Sequence, residues 1–192
     1  MSLCHPERGN VSCGACCGLF NLKLTTKEFK TLLLERTTEF KETVDFEVRH
    51  SFPIFRKERE TKEAHIPKKD EMTYNCPFLG YVDDTKQRIG CMIHPIFTGD
   101  PKSQNFSFYG TSICQAYDCK TKEGALADLW ENLFVEIAKD SIEYSFLFCR
   151  PYLYKCCRKV FFSPTDEYRR YVPSLSFGIS CIISDTFAYF EC

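Results

Sequence analysis

Cys13-Gly14-Ala15-Cys16-Cys17-Gly18 is the segment best equipped for chemistry in this chain of 192 residues and thirteen cysteines. A Cys-x-x-Cys spacing lets two sulfurs converge on one ion, because the intervening backbone turns back on itself. The small residues at 14, 15 and 18 let backbone amides approach the sulfurs and favour the thiolate, the form that binds metal. If the stretch opened a helix, Cys13 and Cys17 would share a face at i, i+4, and the helix dipole would favour their thiolates. Cys17 beside Cys16 binds a second ion or sits behind the ligands. Cys76, Cys91, Cys114 and Cys119 lie further along, and Cys4 precedes the motif. A zinc site needs four ligands and an iron–sulfur cluster usually takes four cysteines. Cys4, Cys13, Cys16, Cys17, Cys76, Cys91, Cys114 and Cys119 therefore suffice for two tetrahedral ions, or for one cluster with thiols to spare. His94 is a further nitrogen donor close to Cys91, whereas His5, His50 and His65 read as solvated. Cys149, Cys181 and Cys192 read as small apolar core residues, as do Cys156 and Cys157, for which a second thiol site is the alternative.

These thiols meet only if the fold returns to one place. Thr25-Thr26-Lys27-Glu28 has the pattern of a capping box, and Phe29, Leu32, Leu33, Phe40 and Val44 follow at helical spacing. A helix is expected over about 26–46. Residues 56–71 mix six basic and five acidic side chains with Pro67, and read as a solvated loop or frayed helix. Phe78–Val82 and Ile89–Ile93 flank the polar stretch Asp83–Arg88, which predicts a hairpin with Cys76 and Cys91 at its open ends. Residues 96–112 read as loop. Leu126, Leu129, Trp130, Leu133, Phe134 and Ile137 form an apolar stripe that predicts one helix over about 122–148, stopped by Pro151. Beyond it a short helix is expected after Ser163 and a strand pair over 174–192.

Composition narrows the function classes. Twenty-five basic against twenty-six acidic residues give a net charge of −1, so no basic field points to nucleic acid. The chain lacks a run of about 20 apolar residues, so no membrane span is expected. Met1-Ser2-Leu3-Cys4-His5-Pro6-Glu7-Arg8 has no apolar export core, which points to a cytoplasmic, reducing setting. There, clustered thiols serve as metal ligands or redox groups more often than as disulfides. The competing reading is a secreted, disulfide-bonded module. No nucleophile elbow and no phosphate-binding glycine loop is present.

Taken together, Cys13-Gly-Ala-Cys-Cys-Gly, Cys76-Pro-Phe-Leu, Gly90-Cys91-Met-Ile, Cys114 and Cys119 resemble the zinc- or iron-chelating cysteine-cluster family, also called YkgJ-like after its Cys-x-x-Cys-x-x-Cys-Cys pattern. The resemblance spans about residues 4–119. It implies a metal ion as the partner and zinc or iron, with an iron–sulfur cluster as one form, as the cofactor. A redox or catalytic iron–sulfur protein, such as a methyl-transfer-related enzyme, is the second reading. Two departures stand out. The family's first cysteine falls at Asn10, with Cys4 six residues upstream as its candidate substitute, and a long insertion separates His94-Pro95 from Cys114. The expected architecture is a single α+β domain over 1–192. It is mainly helical, with a short β-hairpin, and organised around a cysteine-rich metal site.

Overall fold

A computed structural model describes residues 4–117, 119 and 127–149. Over these residues the fold is α+β: mainly helical, with one small two-stranded antiparallel sheet.

The first helix, α1 (Thr26–Thr43), starts where its capping box dictates. Glu28 donates its backbone N–H to Thr25 Oγ1 at 3.3 Å, and Thr25 N–H donates to Glu28 Oε2 at 2.7 Å. Two of the amides left over at a helix start are thereby satisfied. The buried face carries Phe29, Leu32, Leu33, Thr37 and Phe40, with Arg36 among them. The helix stops short of residue 46, because Val44 is extended.

A second helix, α2 (Ser51–Lys62), begins before the segment expected to be solvated loop or frayed helix and takes up its first part, to Lys62. Its apolar anchors Phe52 and Phe55 lie just before the charged run, and Arg59 is buried against acidic partners. A balanced charge count therefore hid a helix whose inner face is half aromatic and half ion-paired. From there the chain returns past the N-terminal segment. Lys23 N–H donates to the Pro67 carbonyl and Lys69 N–H to that of Asn21, both at 2.8 Å.

The hairpin forms as β1 (Leu79–Tyr81) against β2 (Ile89–Cys91), shorter than expected, in the register Leu79 to Cys91 and Tyr81 to Ile89. Thr37 of α1 holds the sheet by accepting the Tyr81 N–H at 2.8 Å. The region expected to be loop over 96–112 is largely helical instead. It contains α3 (Pro95–Thr98), a 3-10 turn at Ser103–Phe106 and α4 (Gly110–Ala116). Local devices explain the first of these: His94 Nδ1 accepts the Ile96 N–H at 3.2 Å, Pro95 sits in the first turn, and Gly99 closes it at φ +68°.

The single helix expected over 122–148 is two: α5 (Ala127–Ile137) and α6 (Ser141–Cys149). Asp140 makes the break by accepting the Ile142 N–H at 3.0 Å and the Glu143 N–H at 2.8 Å, which starts a new helix. Trp130, Phe134 and Ile137 of the expected stripe are buried. Leu126, the stop at Pro151, and the expected elements over 150–192 lie outside the described residues.

Among the described residues the core has three apolar groups. Val11 joins Trp130, Phe134, Tyr144 and Leu147; α1 packs on Leu79 and Ile89; and Phe40, Phe52, Phe55, Phe78 and Ile93 cluster with Cys76. The N-terminal strap is pinned between the last two elements it touches. Ser12 Oγ donates to the Ile89 carbonyl at 2.6 Å, while Ser12 N–H and Gly14 N–H donate to the hydroxyls of Ser141 and Ser145.

Candidate functional site

The Cys13–Gly18 motif does not open an α-helix. Ala15–Cys17 is one turn of 3-10 helix, ended by Gly18 at φ +76°. Both glycines of the motif lie close against neighbours. A Cβ on Gly14 would lie 2.8 Å from Leu79 Cδ1 and 2.9 Å from Ile89 Cδ1, so these two buried side-chain ends would have to shift. A Cβ on Gly18 would lie 2.3 Å from the Tyr74 carbonyl oxygen. That close approach brings the two cysteine segments together. Cys76 N–H donates to the Cys17 carbonyl at 3.0 Å, and Asn75 Nδ2 donates to the Gly18 carbonyl.

Asn21 fastens the same junction from below. Its side-chain amide donates to the carbonyls of Asp70 and Thr73 and to Asn75 Oδ1, and its own oxygen accepts the Asp70 N–H. On the opposite side Arg36, 2% exposed, spans from α1 to the hairpin. Its Nη1 donates to the carbonyls of Cys76 at 3.0 Å and Leu79 at 3.4 Å, and its Nε donates to Glu63 at 2.8 Å. The guanidinium thus anchors the Cys76-Pro-Phe-Leu turn.

Cys16 is exposed, Cys17 half-buried and Cys76 buried, in that order inward. The Cys17 thiol lies between Cys16 and Cys76 and shares its single S–H proton between them. Its hydrogen bond holds Cys16 below the usual thiol range, at about 7, outweighing the opposing effect of burial. The same donor lowers Cys76, with further help from the Phe78 N–H and the nearby Arg36 charge. Cys17 pushes in the opposite sense, well upward, because its proton is shared with Cys16 and Cys76 and it is itself desolvated. Cys91 stands within the electrostatic field of Cys76, and Cys114 within that of Cys76 and Cys16. Burial, together with the Cys76 charge, pushes Cys91 up to about 12. Burial also raises Cys114, partly offset by the Ser107 hydroxyl 3.4 Å away. Gln104 Nε2 lies 4.0 Å from Cys91 Sγ.

Of the eight expected thiols, Cys17 and Cys91 pack on the group that contains Cys76, Cys16 adjoins Cys17, and Cys114 lies within electrostatic reach of Cys76 and Cys16. They come from the 3-10 turn, the approach to β1, the end of β2 and α4. Cys4 and Cys13 are placed at the α5–α6 side. Cys13 N–H donates to the Cys4 carbonyl at 2.9 Å, its side chain packs with the Val11–Trp130 group, and both cysteines act on the Tyr144 hydroxyl. Cys119 is half-buried beyond α4. His94 serves as the cap of α3. Among the described residues, no group of three or more His, Cys, Asp or Glu side chains stands in ion-holding geometry.

Arg36, Asn21 and Gln104 were not anticipated. Arg36 left one trace, a cation in phase with Phe29, Leu33 and Phe40 on the apolar face of α1. Asn21 and Gln104 left none, since loop contacts decide their roles. Among the described residues, no helix is long and apolar enough to cross a membrane. No family model matches the chain, and neither the curated proteins nor the solved structures contain a match. The resemblance to the cysteine-cluster family rests on its motifs alone.

Proposed function

We propose that this chain is a metal-binding protein that holds zinc or iron, the latter as an ion or an iron–sulfur cluster, through clustered cysteines. The observation that carries the reading is the convergence of Cys16, Cys17, Cys76, Cys91 and Cys114 from segments up to a hundred residues apart. The donor chemistry suits a soft or borderline metal: thiols in excess, with sulfur-directed donors from Phe78, Ile93 and Gln104. Two of the five, Cys16 at about 7 and Cys76 below the usual thiol range, are shifted toward the thiolate, the state a metal requires. Cys4, Cys13 and Cys119 complete the wider donor set of the proposal. The thiols are gathered without being closed into coordination geometry, so loading would draw them inward. A bound ion would cross-link the N-terminal turn, the hairpin and α4, adding to the stability of loops that share few strand or helix hydrogen bonds. The proposal includes the cytoplasmic setting and membership of the cysteine-cluster family.

The test is an anaerobic zinc titration of the reduced chain against a chromogenic chelator, repeated with cobalt to read thiolate charge-transfer absorption. Uptake of at least one ion per chain, weakened tenfold or more by Cys76→Ser, is the expected result. A reduced, folded chain that takes up neither ion overturns the proposal.

A further inference from the structure

We propose that Cys16, Cys17 and Cys76 form a peroxide-responsive relay whose end product is a Cys17–Cys76 disulfide. This goes beyond the metal-binding reading and stands whether or not a metal binds. Three observations carry it. Cys16 adjoins Cys17 in the 3-10 turn, and Cys17 packs on the buried group that contains Cys76, so Cys17 stands between the other two. They are graded from exposed to buried, so a small oxidant in solvent meets Cys16 first. The backbones of Cys17 and Cys76 are already joined by an N–H···O=C bond of 3.0 Å. Such a bond keeps two Cα atoms within the reach of a disulfide, roughly 4.4–6.8 Å.

The chemistry balances with a hydroperoxide as oxidant. The Cys16 thiolate attacks hydrogen peroxide; the O–O bond breaks, a sulfenic acid forms, and the peroxide leaves as hydroxide. The Cys17 sulfur then attacks the Cys16 sulfur. An S–S bond forms, the S–O bond breaks, and the departing hydroxide takes the Cys17 proton to give water. Adjacent cysteines close a small, strained ring, which makes this bond labile. The Cys76 sulfur attacks Cys17, releasing the Cys16 thiolate, which recovers the proton Cys76 loses. In sum, two thiols and one peroxide give one disulfide and two waters. Cys16 emerges reduced and the oxidation is stored in the buried pair.

The test uses the full chain, reduced and freed of metal with chelator, then treated with one equivalent of hydrogen peroxide. Acid quenching, digestion and mass spectrometry map the products. The expected result is a Cys17–Cys76 peptide pair as the main disulfide, with two thiols lost per oxidised chain. Cys16→Ser, a change at an exposed position, should form the same bond at least tenfold more slowly, with unchanged circular dichroism. Cys76→Ser should accumulate the Cys16–Cys17 bond. The relay is overturned if Cys17 and Cys76 remain alkylatable while Cys16 overoxidises or links two chains. An unchanged rate in Cys16→Ser overturns it as well. Zinc uptake measured on the same reduced sample separates the two proposals. A chain that forms the disulfide but takes no zinc defeats the metal reading alone; a chain that binds zinc yet never links Cys17 to Cys76 defeats the relay alone.

Discussion

Replacing Arg36 with methionine tests how the Cys76 turn is held. The side chain is 2% exposed, and it bonds Glu63 through Nε and Nη2 and the Cys76 and Leu79 carbonyls through Nη1. Methionine keeps most of the buried stem and removes every one of those bonds. Breaking one side of a buried ion pair costs about 3–5 kcal/mol, because the remaining charge is left uncompensated. Here Glu63 retains Arg59, whose Nε lies 2.9 Å away, so the pair term falls at the low end. The orphaned Cys76 carbonyl adds about 1 kcal/mol. The expected loss is about 3–4 kcal/mol, read as a drop of roughly 1.5–2 M in the urea midpoint for a slope near 2 kcal/mol/M. Adding Glu63→Met should recover little of that loss, because it also takes a carboxylate partner from buried Arg59, which is left with Glu39. A single-variant loss under about 1 kcal/mol would refute the reasoning.

Four further outcomes follow from the same contacts. Gly18→Ala places a Cβ 2.3 Å from the Tyr74 carbonyl oxygen at φ +76°; a loss of at least ~2 kcal/mol in denaturant unfolding is expected, and a neutral result contradicts the close approach. Asp140→Ala removes two amide bonds at the start of α6 and the 2.6 Å pair with Lys30, and should cost about 1–2 kcal/mol in thermal unfolding; no shift would mean that the helix break has another cause. Burial raises the carboxyl groups of Glu39 and Glu63, but bonds to Lys62, Arg36 and Arg59 outweigh it, and both end below their ordinary 4.5. Their contribution is therefore complete above pH 4.5 and drains as pH falls through the lowered folded values, so a urea midpoint that stays flat down to pH 3 contradicts the network. Alkylation of Cys16 by iodoacetamide should show a midpoint near pH 7; a midpoint at or above 9 would show that the Cys17 thiol does not donate to it.

What could be read from the chain divides by range. The start of α1 was legible because Thr25 and Glu28 act on each other three residues apart. The hairpin was legible because its apolar pieces face each other across a short polar stretch. Helix α2 was legible only as a frayed helix in alternative to loop, because its anchors Phe52 and Phe55 preceded the charged window and its Arg59 is neutralised by Glu39 of another helix. The break between α5 and α6 did leave a signal, Asp140-Ser141-Ile142-Glu143, a capping pattern that the continuous apolar spacing obscured. For the site, the motif identified which cysteines to watch. It could not show that Cys13 packs with Trp130 while Cys16 and Cys17 face Cys76, since those placements come from contacts of long sequence separation.

The metal-binding proposal is tested most directly by elemental analysis of the chain purified without oxygen, beside a Cys17→Ser, Cys76→Ser double variant. At least one zinc or iron per chain in the unaltered protein, lost in the double variant, is the predicted result. A metal-free, folded chain with all its thiols titratable, and equal metal content in both proteins, would contradict it.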